Sequence, residues 1–466
     1  MRIGLLLELD SRPNKSLAKL LDSFLKHLWR RIAPRKRRPV SELNVGWKVT
    51  DGEIERTTLS VSQVRRKQHI VILGKSGTGK SSLLRSMCAQ DIACGHGFIF
   101  FDLHGDATPF ILRKVAIEER RTGSDLSTRL IVIDPADPDW SVGINVLRGL
   151  QSNSAFVHIA EFAELLRRRW RLDSLGPRTD ELLRNSLYVL WENGLTLLDV
   201  GPLLTERAFR ISSMQKVRNP EVRRYFENRY EAMSEGMRRV ASEPILNKVS
   251  AFVTDPHLRH IVGQPKSTFS WHKVLESGMW VVINLRKGRL GEEAVTLGSL
   301  FLSMIKNALF SRRNLDLFTL YCDEVQNLVA YDSGLDTILS ESRKFGISVV
   351  SANQFLDQYP PAMRSAMLAV GTQVLFQLAN SDAQQMASAL DGGKPLAELL
   401  KNLQHRHAIV KSGSDSWQEI VVPQVNDPPI GYANLYDRCR KRWARPRTEI
   451  EKEIASKHVN PIDAWK

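Results

Sequence analysis

An α/β fold, with a mainly parallel sheet and an inserted all-α domain, is what the sequence predicts, and three observations predict it. Short, wholly apolar runs recur along the chain, at Ile70–Leu73, Phe98–Phe101 and Leu130–Ile133. Helical patterns separate them, and a strand covered on both faces reads as such a continuous run, where a half-exposed strand would alternate. The first run passes through a glycine-rich turn into Leu83, Leu84, Met87 and Cys88 at helical spacing, so strand, loop and helix follow in one motif. Between about 151 and 263 the apolar runs disappear, and helical patterns loaded with arginine replace them.

The totals narrow the class. A chain of 466 residues is a soft prior for about three domains. Its 66 Lys and Arg against 51 Asp and Glu give a net charge of +15, so a polyanionic partner is expected, the plainer reading being a generally basic surface. Four cysteines (Cys88, Cys94, Cys322, Cys439) form no CxxC pair and no Cys/His cluster. A disulfide scaffold and a structural zinc are therefore not expected, and a reducing, cytoplasmic compartment is. No secretory signal and no run of 18 apolar residues occurs, so the chain reads as soluble unless tethered.

In chain order, residues 1–62 open with Leu17, Leu20, Leu21, Phe24, Leu25, Leu28 and Ile32 on one helical face, with Lys15, Lys19, Lys26, Arg30 and Arg31 around it. Such a face between 15 and 32 packs on its own domain, docks on a partner or lies on an anionic membrane surface, the last of which would place the chain peripheral to the inner membrane. Arg35, Lys36, Arg37 and Arg38 read as a basic linker, and short β-type segments fill 45–62.

Residues 63–150 carry the motif on which the functional reading rests. Gly74-x-x-x-x-Gly79-Lys80-Ser81 follows the strand, and a loop that wraps phosphates turns its backbone N–H groups inward, which calls for glycine. Gly74, Lys75, Ser76, Gly77, Thr78, Gly79, Lys80, Ser81 and Ser82 form the expected nucleotide cradle. Lys80 is placed to reach the β and γ phosphates and Ser81 to offer a hydroxyl to Mg²⁺, while the helix behind them points its positive end at the anion. The run Phe98–Phe101 leads into Asp102, Leu103, His104, Gly105 and Asp106, and Leu130–Ile133 into Asp134 and Pro135.

Residues 151–263 are read as an all-α domain inserted between core strands. Arg167, Arg168, Arg169, Arg171, Arg178, Arg184, Arg223, Arg224, Arg229, Arg238 and Arg239 stand among Trp170, Tyr225, Phe226 and Tyr230. Cations interleaved with aromatics suit nucleic-acid contacts, and equally suit helices with solvated basic faces around a local core.

Residues 264–430 resume the core, with further strands of the same kind at Trp280–Leu285, Leu317–Cys322, Ile347–Ala352, Gln373–Leu378 and His407–Lys411. The second of these ends in Asp323 and Glu324. Hydrolysis needs one carboxylate for the metal and another to activate water, so Asp323 is the expected metal-shell residue and Glu324 the expected general base, on a strand beside the glycine loop. Residues 431–466, with Arg438, Arg440, Lys441, Arg442, Arg445 and Arg447, are expected to form a basic surface arm.

Several of these segments, in this order, resemble a known group. The glycine loop, FFDLHGD (Phe100 to Asp106), IDPAD (Ile133 to Asp137), the helical opening at Gly176-Pro177-Arg178-Thr179, CDEVQNL (Cys322 to Leu328) and SRKFGISVVSANQ (Ser342 to Gln354) are similar to the HerA/FtsK group of hexameric DNA-pumping ATPases. Within it they most resemble the type IV secretion coupling proteins of the TraD/TraG kind, over roughly residues 60 to 425. The resemblance implies a RecA-like P-loop core that binds ATP and Mg²⁺, assembles as a homo-oligomer, a hexameric ring, and drives DNA. It implies that Gln354 contacts the γ-phosphate or the lytic water. It also implies that Arg343 is an arginine finger reaching the ATP of the neighbouring subunit, a role worth on the order of 10³ to 10⁵ in rate. A relaxase, a secretion channel or a nuclease is the implied partner. The alternatives are a HerA-like translocase acting with a nuclease, a protein-secretion ATPase of the same fold, and a non-catalytic, nucleotide-gated DNA-binding scaffold.

Overall fold

The computed structural model describes residues 42–148, 159–160, 162–164, 166–167, 176–329, 334–359 and 361–457. The amphipathic face at 15–32, the basic run at 35–38, Trp170 with its flanking Arg168, Arg169 and Arg171, and the chain beyond 457 lie outside the described residues.

Thirteen strands occur among the described residues: β1 (Leu43–Thr50), β2 (Glu53–Val61), β3 (Ile70–Leu73), β4 (Gly97–Asp102), β5 (Leu130–Ile133), β6 (Trp140–Ser141), β7 (Trp280–Asn284), β8 (Phe318–Asp323), β9 (Ile347–Asn353), β10 (Thr372–Leu375), β11 (His407–Ser412), β12 (Gln418–Val421) and β13 (Arg445–Pro446). Eleven of them form one sheet in the order β2-β1-β12-β11-β10-β3-β9-β8-β4-β7-β5, and β6 pairs with β13 apart from it. From β10 to β5 every neighbouring pair is parallel.

The apolar runs are continuous because both faces of this parallel part are buried. Val71, Leu73, Ile99, Phe101, Ile131, Ile133, Val281 and Ile283 point into one core, while Ile70, Ile72, Phe98, Phe100, Leu130, Trp280 and Val282 point into the other. Helix α1 (Lys80–Cys94) and helix α2 (Ala107–Thr122) supply Leu83, Leu84, Met87, Phe110, Ile111 and Val115 to the second core. The first is covered by the Glu292–Leu309 helix and by the helical region, and each fully buried Leu, Ile or Phe there contributes about 1.5–3 kcal/mol.

Four expectations are corrected. His407–Lys411 was expected as one more parallel strand, but β11 runs antiparallel to β10 and pairs on with β12, β1 and β2, so a hairpin-built antiparallel edge extends the sheet. The acidic strand β8 does not adjoin the glycine-loop strand β3; β9 lies between them. Tyr225, Phe226 and Tyr230 are not offered to a ligand: they pack edge to face inside a π-helical turn and are buried, with the Tyr230 hydroxyl donating to Leu204 O at 2.9 Å. Arginines around them are spent on carboxylates, Arg210 and Arg238 on Glu231 and Arg229 on Glu181.

The fourth concerns the expected surface arm. Residues Ala433–Trp443 form a helix that buries Leu435 and Cys439, and Trp443 Nε1 donates to Ser127 O at 2.9 Å. The next helix, Arg447–Lys457, buries Ile450 and Ile454, and its Glu451 lies 2.6 Å from His260 Nε2. Apolar residues at helical spacing within the basic run dock it, and half-buried Arg438, Arg440 and Arg447 add bonds to Glu119 and Asp125, to Asp137 and to Pro135 O.

Candidate functional site

The carboxyl ends of β3, β9, β8 and β4 lie side by side in the sheet, and the glycine loop crosses this edge. Its start is fixed by two neighbours: Gly74 N–H donates to Asn353 O at 3.2 Å and Lys75 N–H to Gln377 O at 2.9 Å. A Cβ on Gly74 would stand 2.5 Å from Phe376 Cβ, so the loop can follow this path only with glycine there. Gly79 takes φ +118 as it enters α1, whose first turn has no side-chain cap. An uncapped first turn leaves backbone N–H groups for an anion, and the helix dipole adds to their attraction.

Lys80 is largely buried and folds its ammonium back onto the loop, donating to Gly74 O at 2.7 Å and Lys75 O at 2.9 Å. Burial lowers its pKa, and the charges of Asp323 and Glu324 act against that shift. A cation bonded to carbonyl dipoles gains by turning to a phosphate, because a charge-assisted bond to an anion is the stronger one.

A cavity of about 300 Å³ opens here, lined by Ser76, Gly77, Gly79, Lys80, Ser81, Ser82, His104, Asp323, Glu324, Gln354 and His405. Gln354, the residue just past the intervening strand β9, joins the loop and the acid pair in this lining. Ser81 Oγ donates to Asp323 Oδ2 at 3.4 Å, so a hydroxyl and a carboxylate converge on one point. Burial, with Glu324 next to it, raises the pKa of Asp323, while Lys80 and His104 oppose the rise. Two hard oxygen donors, the Ser81 hydroxyl and the Asp323 carboxylate, fit Mg²⁺, which binds one or two protein oxygens and takes the rest of its shell from phosphates and water.

Glu324 stands just past β8 in the left-handed region, at φ +50. A non-glycine residue there is strained, and the strain is held by the contacts of its carboxylate. Gln354 Nε2 donates to Oε1 at 3.1 Å, Asn327 Nδ2 donates to Oε2 at 3.3 Å, and His104 Nε2 lies 3.3 Å from Oε2. The predicted base and the predicted polar sensor thus touch each other.

Arg343 does not join them. It is exposed in the turn Ser342–Phe345, which precedes β9 and so sits at the other end of that strand, roughly 20 Å away by strand rise. Sequence reasoning named no role for His104, Asn327 or His405. The first was marked only as the end of a strand, and the second lies one helical turn after Glu324, a spacing that could have found it. His405 gave no signal, because its position depends on the turn into β11, where Arg406 N–H donates to Thr78 O at 3.0 Å.

A family model described as the type IV secretion-system coupling protein DNA-binding domain matches residues 53–419. Among solved structures, the chain is similar to the bacterial conjugative coupling protein TrwBdeltaN70 in its unbound monoclinic form, with a TM-score of 0.55 and 17% identity over 86% of this chain and 92% of that one. It is similar to plasmid coupling protein TrwB in complex with ADP and Mg²⁺, with a TM-score of 0.54 and 17% identity over 85% and 98% of the two chains. It also resembles VirB4 of Thermoanaerobacter pseudethanolicus, with a TM-score of 0.53 and 15% identity over 83% and 97%. At these identities the structural likeness is one of fold. No curated protein matches the sequence.

Proposed function

The chain belongs to the family of type IV secretion-system coupling proteins, and from that premise we propose that it is an ATP-hydrolysing, ring-forming motor that drives DNA in conjugative or type IV secretion-like transfer. The observation that carries the reading is the bond between Gln354 and Glu324 in the cavity that also holds Lys80, Ser81 and Asp323.

The loop N–H groups and the start of α1 bind the phosphates, and Lys80 leaves the loop carbonyls to neutralise the β and γ oxygens. Ser81 Oγ and Asp323 would hold Mg²⁺, which when bound draws charge from the phosphate oxygens. Gln354 orients the attacking water against Glu324, which takes a proton on a carboxylate oxygen as the water's oxygen bonds the γ-phosphorus and the bond from that phosphorus to the bridging oxygen breaks, releasing ADP. Asp323 and Glu324 divide the work because one faces Ser81 and the other faces Gln354.

Arg343 supplies the missing charge from outside. Its exposure, far from its own cavity, supports action on the nucleotide of a neighbouring copy, and a heterologous contact of that kind closes into a ring. DNA as the cargo draws support from the net charge of +15 and from the family model's description as a DNA-binding domain. No helix among the described residues is long and apolar enough to cross a membrane.

ATP turnover measured with and without DNA tests the reading. Glu324→Gln is expected to lower turnover by about 10²- to 10⁴-fold and to keep nucleotide affinity, while Lys80→Ala loses affinity itself. Undiminished turnover in Glu324→Gln would remove the base, and turnover indifferent to DNA would favour a protein cargo.

A further inference from the structure

The carboxyl end of β7 leads into a turn that the nucleotide site does not use: Leu285, Arg286, Lys287, Gly288, Arg289, Leu290, Gly291. Arg286, Gly288 and Arg289 are exposed, and a Cβ on Gly288 would meet nothing within 4 Å. Arg286 is held at φ +41, a left-handed conformation that costs a non-glycine residue energy, and is anchored by a 2.8 Å ion pair to buried Asp134. With Arg286 pairing Asp134 and so fixing the turn, exposed Arg289 and half-buried Lys287 are the two cations left to meet a phosphate backbone, at the end of the sheet where the cavity lies.

A chain of hydrogen bonds runs from this turn to the catalytic carboxylate. Lys287 Nζ donates to Asn327 Oδ1 at 2.8 Å, and Asn327 Nδ2 donates to Glu324 O at 3.2 Å and to Glu324 Oε2 at 3.3 Å. The ammonium fixes which end of the amide faces Glu324. Lys287 N–H also donates to Leu103 O at 2.8 Å, and the next residue, His104, is the other partner of Oε2. The side chain of Lys287 therefore holds one of the two groups that engage Oε2, and its backbone pins the strand end that carries the other.

We propose that the turn 285–291 is a contact for the phosphate backbone of nucleic acid, and that Lys287 is the positioning residue through which this contact releases Glu324. An ammonium prefers a phosphate to an amide oxygen, since a charge-assisted bond is about twice as strong as one to a neutral group. When Lys287 swings to the phosphate, Asn327 is free to turn and Oε2 loses a donor. With one donor fewer, the carboxylate of Glu324 is free to rotate to the water. Nucleic acid thereby raises hydrolysis without touching the nucleotide, and the coupling is reciprocal in binding.

This inference rests on the motor reading, and the test separates the two. Turnover of the full chain is measured with a synthetic DNA duplex, its single strand, polyglutamate, or no polyanion. Lys287→Gln and Asn327→Ala, which cut the same link from opposite ends, are each expected to raise the basal rate at unchanged KM for ATP. Their stimulated-to-basal ratio should fall to about 1. Lys287→Arg is expected to keep the stimulation, and Arg289→Ala to reduce the salt slope of DNA binding by about one. DNA stimulation of the wild type that persists undiminished in both Lys287→Gln and Asn327→Ala overturns the inference alone. A wild type that ignores DNA overturns it together with the motor reading, and equal stimulation by polyglutamate overturns the nucleic-acid assignment.

Discussion

His69 stands at the foot of β3, buried and at φ +70, with both ring nitrogens committed. Nε2 donates to Leu339 O at 2.9 Å and Nδ1 accepts from Val349 N–H at 3.1 Å, so the neutral ring fits and a second ring proton would face a donor. Burial, with the charge of Arg343 behind it, pushes its pKa down to about 4. The unfolded chain takes up this proton near 6.5 and the folded chain only near 4. The stability that His69 contributes is therefore complete above about 6.5 and is lost as the pH falls towards 4, by about 3 kcal/mol. Asparagine tolerates the left-handed backbone and does not titrate. Denaturant midpoints measured at about pH 7 and about pH 4.5 should differ less in His69→Asn than in the wild type. An unchanged difference would place the acid sensitivity elsewhere.

At the scale of elements, α1 does more than end the glycine loop. Its buried Asp91 accepts a bidentate bond from Arg66 at 2.8 and 2.7 Å and further bonds from Thr319 and Tyr321 on β8, and His96 Nδ1 lies 3.1 Å from it. Burial would raise the Asp91 pKa, but the guanidinium and the histidine hold it below the usual carboxylate range. The network ties the helix of the phosphate loop to the strand of the acid pair across the intervening β9. Asp91→Ala would leave a buried, unpaired guanidinium, so a loss of about 3–5 kcal/mol in global stability is expected from chemical denaturation. A loss under about 1 kcal/mol would mean that water reaches Arg66. Such a network explains why the sequence was legible only in part. Continuous apolar runs announced the strands, and Gly74 to Ser81 and Asp323–Glu324 announced the site, because each pattern is local. Strand order, the antiparallel sense of β11, and the approach of His104, Asn327 and His405 depend on packing between distant segments, and no local pattern records that. The aromatic cluster at 225–230 stayed open between two readings for the same reason, since cations beside aromatics look alike whether the rings face a ligand or a core, and the core reading is the one found.

At the scale of the whole molecule, the decisive distance is the one between Arg343 and the cavity of its own chain. In the proposed ring, a residue roughly 20 Å from its own Glu324 serves hydrolysis by meeting another copy, so on that proposal activity should rise with protein concentration and Arg343→Ala should bind ATP without turning it over. Mixing sharpens the argument. Arg343→Ala keeps an intact Glu324, and Glu324→Gln keeps an intact Arg343, so each variant alone lacks one half of every interface. In an equal mixture that exchanges subunits, about a quarter of the head-to-tail interfaces pair an Arg343→Ala cavity with a Glu324→Gln neighbour, and those are complete. Turnover in the mixture should recover to about that fraction of the wild-type rate if interfaces fire independently, and to less if the ring must fire in sequence. No recovery, in a mixture shown by cross-linking to contain both variants in one ring, would remove the arginine from the interface provided that wild-type rings lose turnover only in proportion to the Arg343→Ala subunits mixed into them, since interfaces then fire independently.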